Sequence, residues 1–411
     1  MYLCIDMKSF FASVECALRG LNSATTPLVV ADSSRGDGAI VLAVSTYLKS
    51  LGVKNRCRIH EIPKGIKYIK AMPRMRFYIS YAKRIHKIFL KYVSYQDIHT
   101  YSIDEAFLYV KPYLKYYGNS IKALAKRITN DIHNELGIYS TCGAGDNMYL
   151  SKVALDILAK HNDGYYYLSE DLYIKKLWRH RPLTDFWQIG IRTEYHLNKL
   201  GIYTLEDLAY SDTNMLKKEF GVIGDEMYQH AWGKDDVTIS DIKNYIPSNK
   251  SISRNQILFE DYKKEDAIIP LLEMVYKVCI DMCVKNIDAR GISFYIGYSK
   301  DIDGGYAKAI TFEYRCRDYQ IISEIIKDVY YANVLDLPIR RVGVSFFEIE
   351  KIENRQMSLF NFHNDKYIAL CQSIGDIWNI HDKNAILPAT SLLEKSTIKY
   401  RNKCIGGHND E

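Results

Sequence analysis

The sequence predicts a multidomain α+β protein, and three observations support this fold class. Residues 1–167 alternate short apolar strands with amphipathic helices. Residues 168–232 have helical spacing with short loops, and residues 251–349 follow the order βαββαβ. At 411 residues the chain is too long for a single hydrophobic core. We therefore expect several domains of different composition.

The first block contains an α/β unit with an antiparallel element. Phe10, Val14 and Leu18 lie four residues apart, which places them on one face of a helix. The predicted strands are Tyr2–Asp6, Pro27–Ala31, Ala39–Val44, two within Ile98–Val110 that flank a turn at Asp104-Glu105, and Ser140–Gly145. The predicted helices are Ser9–Arg19, Ile79–Val93, Ile121–Leu136 and Met148–Lys160.

The second half begins with a helical region and ends in a polar tail. Within Pro182–Leu208, the stretch Ile189-Gly190-Ile191 links two predicted helices, as in a helix-hairpin-helix, and Asn244–Ser251 is typical of a linker. The βαββαβ block is predicted at Ser251–Phe259, Lys264–Lys285, Gly291–Tyr298, Ala307–Tyr314, Tyr319–Tyr331 and Val342–Ile349. Two more helices are predicted at Ile368–Trp378 and Ala389–Leu393.

Composition excludes several classes of protein. The chain is 47% hydrophobic and 25% charged, and no apolar run reaches the ~20 residues that a membrane span needs. The N-terminus is typical of a strand and not of a signal peptide, so we expect a cytoplasmic protein without membrane contact. The nine cysteines are scattered, which favours a reducing compartment. Cys279 and Cys283 have no second Cys or His pair to complete a zinc site.

The net charge of +6 is mild, but the basic residues are unevenly distributed. Between Ile62 and Gln96 there are nine Lys or Arg residues, no Asp or Glu, and several interleaved tyrosines. A phosphate backbone would select such a segment, and so would an ordinary solvated face. The segment alone leaves both interpretations open.

Two acidic positions carry the chemistry. Asp6 ends the first strand, and Asp104 and Glu105 occupy the strand–strand turn. Most single acids are surface carboxylates, but these stand where the chain should otherwise be apolar. Three converging carboxylates repel one another unless cations neutralise them. Two Mg²⁺ ions ~3.5–4 Å apart could hold the attacking and leaving oxygens of a phosphoryl or nucleotidyl displacement.

Four motifs stand out along the chain. They are Asp6-Met7-Lys8-Ser9-Phe10-Phe11-Ala12-Ser13-Val14-Glu15, Tyr101-Ser102-Ile103-Asp104-Glu105-Ala106-Phe107, Gly38–Val41 through Lys49–Lys54, and Gly143–Lys160 with Ser151-Lys152-Val153-Ala154-Leu155-Asp156. Together they resemble the ordered motifs of the Y-family translesion DNA polymerases, across nearly the whole chain. The tail stretches Ser391–Glu394 and Ile405–His408 resemble the bacterial subgroup of DNA polymerase IV and of the catalytic subunit of DNA polymerase V.

The resemblance implies an error-prone, template-directed DNA polymerase without proofreading that adds dNTPs to a primer–template. Asp6, Asp104 and Glu105 would bind two Mg²⁺, with the Met7 carbonyl as a further ligand. The implied architecture is a right hand. Its expected domains are palm and fingers at 1–167, with the fingers at about 20–75, a thumb at 168–235, a little finger at 244–350 and a tail at 351–411.

The resemblance also assigns nucleotide contacts. Phe11 occupies the steric-gate position, where a flat ring under the sugar leaves no room for a 2′-hydroxyl, although core packing would explain a Phe here as well. The implied dNTP-binding residues are Phe10, Phe11, Thr46, Lys49 and Lys160. Thr46 and Lys49 stand where the family often has Tyr and Arg, which weakens the expected grip on the triphosphate.

DNA and protein partners are implied in the same way. Backbone N–H groups of Ile189, Gly190 and Ile191 would bind a DNA phosphate, although Gln188 replaces an expected glycine. The little-finger region from Lys243 to Ser345 is nearly neutral, with 15 Lys/Arg and 14 Asp/Glu. In the tail, Gln356, Leu359 and Phe360 resemble a peptide that docks on the bacterial sliding clamp. Accessory proteins of the SOS response are further possible partners.

Two other functions remain open at this stage. A DNA-binding scaffold that has lost catalysis would not need intact Asp6, Asp104 and Glu105. A two-metal nuclease or phosphotransferase would use the carboxylates but would have no role for the fingers motif or Phe11.

Overall fold

The computed structural model describes residues 1–248, 250–352 and 364–409. The chain divides into one unit of Met1–Tyr245 with the chain end from His408, and a second unit of Ile246–Gly407. No helix in the described ranges is both long and apolar enough to cross a membrane.

The first unit contains two sheets and eleven α-helices among its described residues. The strands are β1 (Tyr2–Met7), β2 (Leu28–Ala31), β3 (Val41–Val44), β4 (Ile69–Ala71), β5 (Ile98–Thr100), β6 (Glu105–Tyr109), β7 (Ser140–Gly145) and β8 (Tyr165–Leu168). The helices are α1 (Phe10–Ala17), α2 (Thr46–Ser50), α3 (Met75–Phe89), α4 (Ile121–Leu136), α5 (Met148–Val153), α6 (Glu170–Leu177), α7 (Ile191–Lys199), α8 (Leu205–Ala209), α9 (Thr213–Phe220), α10 (Val222–Ala231) and α11 (Ile239–Asn244).

Strand β1 is the centre of the larger sheet, whose order is β5-β6-β1-β7-β8. It runs antiparallel to both β6 and β7, while β7 and β8 are parallel. Leu3, Cys4 and Ile5 are fully buried, which explains why this strand reads as a continuous apolar run in the sequence. The smaller sheet has the order β3-β2-β4.

Three predicted helices in this unit differ clearly from the structure. The helix predicted at Ile79–Val93 is α3, which begins at Met75 and ends at Phe89. The helix predicted at Met148–Lys160 is α only through Val153, after which Ala154–Leu158 forms a π-helical turn and Ala159–His161 a 3-10 turn. The first helix of the predicted helix-hairpin-helix is a single 3-10 turn at Leu183–Asp185, followed by α7. The surrounding helical region shares a core that includes Leu183, Ile189 and Leu197.

The second unit has the predicted βαββαβ order. Its elements are β9 (Ile252–Tyr262), α12 (Lys264–Val284), β10 (Ile287–Tyr298), β11 (Gly305–Cys316), α13 (Tyr319–Asn333) and β12 (Ile339–Lys351). The antiparallel sheet has the order β11-β10-β12-β9 and shares one apolar core with α12 and α13. The tail contains α14 (Asn364–Ile380), α15 (Ile398–Lys403) and the short strands β13 (Cys404–Ile405) and β14 (His408–Asn409). Cys371, Ile374 and Trp378 of α14 pack on Ile280 and Cys283 of α12.

Candidate active site

Asp6 and Glu105 lie opposite each other where β1 pairs with β6. Asp104 directly precedes β6 in the sequence, and its carbonyl accepts a hydrogen bond from the Met7 N–H at 2.9 Å. That bond fixes the loop before β6 to the end of β1. Sheet pairing thus brings the two acidic positions of the sequence together, as predicted from the strand ends.

The Asp104 side chain is oriented by its own loop. The Ser102 hydroxyl donates to Asp104 Oδ1 at 2.7 Å, and the Asp104 N–H donates to Ser102 Oγ at 3.3 Å. The N–H groups of Tyr101 and Ser102 both donate to the Glu105 carbonyl, at 3.0 and 3.1 Å. The loop is therefore a closed turn that presents the carboxylate of Asp104.

Glu105 is held by a buried lysine. Lys152 Nζ lies 2.7 Å from Oε1 and 2.8 Å from Oε2, and the Cys4 thiol donates to Oε1 at 3.1 Å. The side chains of Lys152 and Glu105 are only 9% and 10% exposed. Lys152 also lies 3.0 Å from Asp156 Oδ2, and Asp156 Oδ1 lies 3.1 Å from Lys160 Nζ. Opposite charges therefore alternate along α5 and the turns that follow it.

Two glycines allow this lysine to reach Glu105. A Cβ at Gly143 would lie 2.1 Å from the Ser151 carbonyl oxygen, and a Cβ at Gly145 would lie 2.5 Å from the Ser151 nitrogen. Any side chain at these β7 positions would push α5 away from the sheet. The close approach of α5 and β7 places Lys152 beside the end of β1.

Asp6 interacts electrostatically with the other two carboxylates. Burial, together with the charges of Asp104 and Glu105, raises the pKa of Asp6 to about 7, while Lys160 and Lys152 act in the opposite direction. A carboxyl group in this setting is stabilised as an anion by any added cation. The raised pKa therefore fits a cation-binding role.

The donor set suits a hard divalent cation, although the side chains are not arranged around a single point. Among the described residues, no three Asp, Glu, His or Cys side chains form a group that could hold a metal ion as placed. Both oxygens of Glu105 are bound by Lys152. Carboxylate and carbonyl oxygens are nevertheless the ligands that Mg²⁺ prefers, and Asp6, Asp104 and the Met7 carbonyl supply them here.

The turn between β1 and α1 has an unusual backbone. Ser9 takes the left-handed conformation, with φ 50° and ψ 47°, which non-glycine residues seldom adopt. This sharp turn leads directly into α1, so Phe10 and Phe11 follow the acid of β1 closely. Phe10 is 3% exposed and belongs to the core, whereas Phe11 is half-buried.

A cavity of about 490 Å³ connects these residues. Every predicted metal and nucleotide residue except Glu105 lines it. The lining consists of Asp6, Met7, Lys8, Ser9, Phe10, Phe11, Leu42, Ala43, Thr46, Lys49, Asn55, Asp104, Thr141 and Lys160. Carboxylates, aromatic rings and ammonium groups thus share one cavity within the first unit.

Thr46 lines this cavity and has a buried hydroxyl. Its Oγ1 has no hydrogen-bond partner within the described part of the chain. A buried hydroxyl without a partner costs stability, so such groups usually mark the site of a ligand or a water molecule. Thr46 begins α2, and Lys49 lies on the same short helix.

The predicted phosphate-binding turn is formed without its expected glycine. Gln188 adopts φ 70°, the left-handed conformation that a glycine would take more easily. Ile189 is buried in the helical core, Gly190 is the N-cap of α7, and Ile191 is 81% exposed. The N-terminus of α7 is therefore accessible, as a phosphate contact requires.

The basic segment between Ile62 and Gln96 is partly used inside the protein. Arg74 forms two hydrogen bonds with buried Glu15, at 3.0 and 2.7 Å, and Lys91 is paired with Glu135. These two cations already have intramolecular partners. Fewer than nine charges are consequently available for an outside partner.

Two contacts were not apparent from the sequence, and one predicted site lies outside the described residues. Lys152 had no assigned role, although the spacing of Lys152, Asp156 and Lys160 predicts a row of charges on one helix face. Tyr78 stacks on Phe11, and no local pattern indicates this.

Gln356, Leu359 and Phe360 fall in the segment that the structure does not describe.

Known proteins are similar to this chain in both sequence and fold. The model of the impB/mucB/samB family matches residues 5–156, and the model of its C-terminal domain matches residues 249–359. A relative from Bacillus subtilis (strain 168), named as the UV-damage repair protein UvrX, is 35% identical over 99% of this chain and 97% of its own length. DNA polymerase IV 2 of the same organism is 29% identical over 98% and 97%. The solved Y-family DNA polymerase chimera Dbh-Dpo4(243-245)-Dbh has the same fold, with a TM-score of 0.64 and 23% identity over 85% of this chain and 99% of that one.

Proposed function

Because the chain belongs to the impB/mucB/samB family, the Y family of DNA polymerases, we propose a role for each residue of its cavity in nucleotide insertion. The chain is a DNA-directed DNA polymerase that performs translesion synthesis. The observation that carries the residue assignments is the single cavity lined by Asp6, Asp104, Phe11, Thr46 and Lys160.

Asp6, Asp104, Glu105 and the carbonyl of Met7 would hold two Mg²⁺ ions. When bound, these ions neutralise the carboxylates and stabilise the charge on the reacting oxygens of a nucleotidyl transfer. The raised pKa of Asp6 supports this assignment, because a carboxylate near two others is stabilised by a cation. Lys152 supplies a fixed positive charge beside Glu105 in a nearly buried position.

Phe11 would exclude ribonucleotides by overlap with the 2′-hydroxyl. Its half-buried ring lines the same cavity as the carboxylates, which suits a group that lies under the sugar. Phe10 is almost fully buried but also lines this cavity, and it would contact the dNTP beside Phe11.

Thr46, Lys49 and Lys160 would bind the triphosphate of the incoming dNTP. The hydroxyl of Thr46 lacks a partner in the described part of the chain and could donate to a phosphate oxygen. The two ammonium groups line the same cavity and supply point charges, which suit phosphate.

The domains and the DNA contacts are also assigned from the family to which the chain belongs. We assign the palm and fingers to residues 1–167, the thumb to 168–235, the little finger to 244–350 and the tail to 351–411. The exposed N-terminus of α7, with the N–H groups near Ile189, Gly190 and Ile191, would bind a DNA phosphate. Exposed basic and aromatic side chains on the edge strand β11, such as Lys308 and Tyr314, are suited to contact the DNA backbone.

The tail would connect the enzyme to the replication machinery in the cytoplasm. Gln356, Leu359 and Phe360 would dock on the sliding clamp, with Gln356 as the polar anchor and the other two in an apolar pocket. Accessory proteins of the SOS response are a further proposed class of partner. Tethering would raise the residence time on DNA without new DNA contacts.

Incubation of the protein with a labelled primer–template, dNTPs and Mg²⁺ tests the proposed function. A polymerase extends the primer by residues complementary to the template, and a template with an abasic site tests lesion bypass. Shortening of the primer would instead indicate a two-metal nuclease. Binding without any change of primer length would indicate a catalytically silent scaffold.

A further inference from the structure

We propose that Glu15, acting through Arg74 and Tyr78, positions the ring of Phe11 and thereby sets how strongly the enzyme rejects ribonucleotides. The inference rests on the proposed role of Phe11 as the steric gate. It gives a function to the ion pair of buried Glu15 with Arg74, which is not itself required for nucleotide insertion.

Phe11 is supported from behind by a second ring. The ring centroids of Phe11 and Tyr78 are 4.5 Å apart and their planes differ by 15°. Tyr78 is fully buried, so its ring cannot move away into solvent. A parallel ring at this distance limits both the tilt and the retreat of the Phe11 ring.

Tyr78 is in turn fixed by a carboxylate. Its hydroxyl donates to Glu15 Oε1 at 2.9 Å, and Glu15 is 0% exposed. Glu15 lies four residues after Phe11 on α1, which places both on one face of the helix. The carboxylate therefore holds Tyr78 against the same helix face that carries the gate.

Arg74 binds both oxygens of the Glu15 carboxylate through its guanidinium group. Its Nε and NH2 atoms donate to the two oxygens of Glu15 at 3.0 and 2.7 Å. Arg74 is the residue directly before α3, and Tyr78 lies one turn into that helix. A two-point contact of this kind fixes direction as well as distance. The start of α3 is consequently locked to α1 on both sides of the Glu15 carboxylate.

The ion pair is ionised and fully satisfied. Burial disfavours the Glu15 anion, but hydrogen bonds from Arg74, Arg19 and Tyr78 outweigh it and lower the pKa of Glu15. Arg19 also donates to the Glu15 backbone carbonyl at 2.8 Å. A buried charge with this many partners restricts the conformations of its neighbours more than apolar packing would.

Rigidity matters for a gate that works by steric overlap. Repulsion between a ring edge and a hydroxyl falls steeply with distance, so a ring that can yield by a few tenths of an ångström admits the larger sugar. A single extra hydroxyl is poorly rejected by an apolar surface that can adjust. The Glu15 network prevents that adjustment.

Removal of one hydroxyl tests this inference. Tyr78→Phe keeps the stacked ring and deletes only its hydrogen bond to Glu15. We expect kcat/KM for dNTP to stay within about twofold of wild type, and the dNTP/rNTP ratio of kcat/KM to fall roughly three- to tenfold, part of what a hydrogen bond to a charged group contributes. Tyr78→Leu, which removes the ring, should lower the ratio further. Thermal unfolding of each variant establishes that the fold is retained.

A matched control is available just after the end of the same helix, α3. Tyr92 donates to Asp131 Oδ2 at 2.7 Å, so Tyr92→Phe deletes an equivalent tyrosine–carboxylate bond that does not touch Phe11. This variant should keep the wild-type ratio. An equal loss of selectivity in Tyr92→Phe and Tyr78→Phe would overturn the inference, because a general loosening would then explain both.

The failure of the inference and the failure of the gate assignment give different results. If Phe11→Ala loses selectivity while Tyr78→Phe and Tyr78→Leu keep the wild-type ratio, Phe11 is the gate and the network does not position it. If Phe11→Ala itself keeps the wild-type ratio, the proposed gate is wrong and the inference fails with it. A parallel fall in kcat/KM for both nucleotides, with the ratio unchanged, would indicate a merely structural role.

Discussion

Lys152 binds both carboxylate oxygens of Glu105, at 2.7 and 2.8 Å, in a position where each side chain is about one-tenth exposed. A lone buried carboxylate at the end of a sheet would be costly. Lys152 places a positive charge directly beside Glu105, which we propose as a metal ligand. The fold thus supports this proposed ligand before any metal or nucleotide binds.

Replacement of Lys152 should destabilise the protein. Lys152→Met leaves Glu105 and Asp156 without their buried cation, which costs about 3 kcal/mol in the free energy of unfolding. Lys160→Met is the matched control, because Lys160 pairs with the same Asp156 but is 46% exposed. It should cost less than about 1 kcal/mol. Denaturant unfolding of both variants measures the difference, and equal effects would contradict the proposed importance of burial.

The hydroxyl of Thr46 should matter for substrate and not for folding. Thr46→Val keeps the shape of the side chain and removes a buried polar atom that has no partner in the described part of the chain. Stability should be unchanged or higher, while kcat/KM for dNTP should fall several-fold through a raised KM. Thr129→Val removes a hydroxyl that is bonded to the Lys126 carbonyl on the surface of α4. Steady-state insertion kinetics should be normal in that control and impaired in Thr46→Val.

His230 should make the protein sensitive to acid. Its ring stacks on the ring of Tyr149, with the two ring centroids 4.1 Å apart. Burial lowers the pKa of His230 to about 4. An unfolded histidine titrates near 6.5. Protonation therefore favours the unfolded chain: the full stability is present above about pH 6.5 and is lost as the pH falls towards 4.

The loss attributable to His230 should be on the order of 3 kcal/mol, at ~1.4 kcal/mol per pKa unit. His230→Phe keeps a stacked ring and cannot titrate. Thermal unfolding between pH 7 and 4 should show a smaller decline in the variant than in the wild type. Parallel curves for the two proteins would refute the assignment.

The proposed clamp peptide gives a prediction about longer synthesis. Leu359→Ala with Phe360→Ala should leave single-nucleotide insertion intact and abolish stimulation by the sliding clamp. Leu392 and Leu393, which are 76% and 50% exposed, form a comparable apolar pair in the tail. Their replacement by alanine should leave clamp stimulation normal. Primer extension with and without clamp separates the two double variants, and normal stimulation in both would exclude the peptide as the docking site.

Local patterns predict most of the secondary structure. The sequence predicts a helix at Ile121–Leu136, the bounds that the structure has, because Ser120 caps its start and Gly137 ends it with φ 68°. Short elements are harder to predict, since β4 and β8 have only three and four residues and depend on pairing with distant strands. The π-helical turn within Met148–Lys160 also has no local pattern.

The sequence predicts the acidic residues of the site better than it predicts the contacts that support them. Strand ends and motif resemblance suffice to predict that Asp6 and Asp104 line one site. The Lys152–Glu105 ion pair spans 47 positions and depends on how closely α5 approaches β7 at Gly143 and Gly145. The stacking of Phe11 on Tyr78 likewise joins two helices. Such contacts are set by tertiary packing, which no local pattern encodes.

The most direct test of the central claim is single-nucleotide insertion by Asp104→Asn, measured together with its affinity for primer–template DNA. The substitution keeps the size of a side chain that lines the cavity and removes its charge. We predict that insertion falls by on the order of a thousandfold, as expected when a few kcal/mol of transition-state stabilisation are lost, with DNA affinity unchanged. Asp236→Asn, at an exposed acid that does not line the cavity, should insert normally. Wild-type insertion by Asp104→Asn would contradict the assignment of this cavity as the polymerase active site.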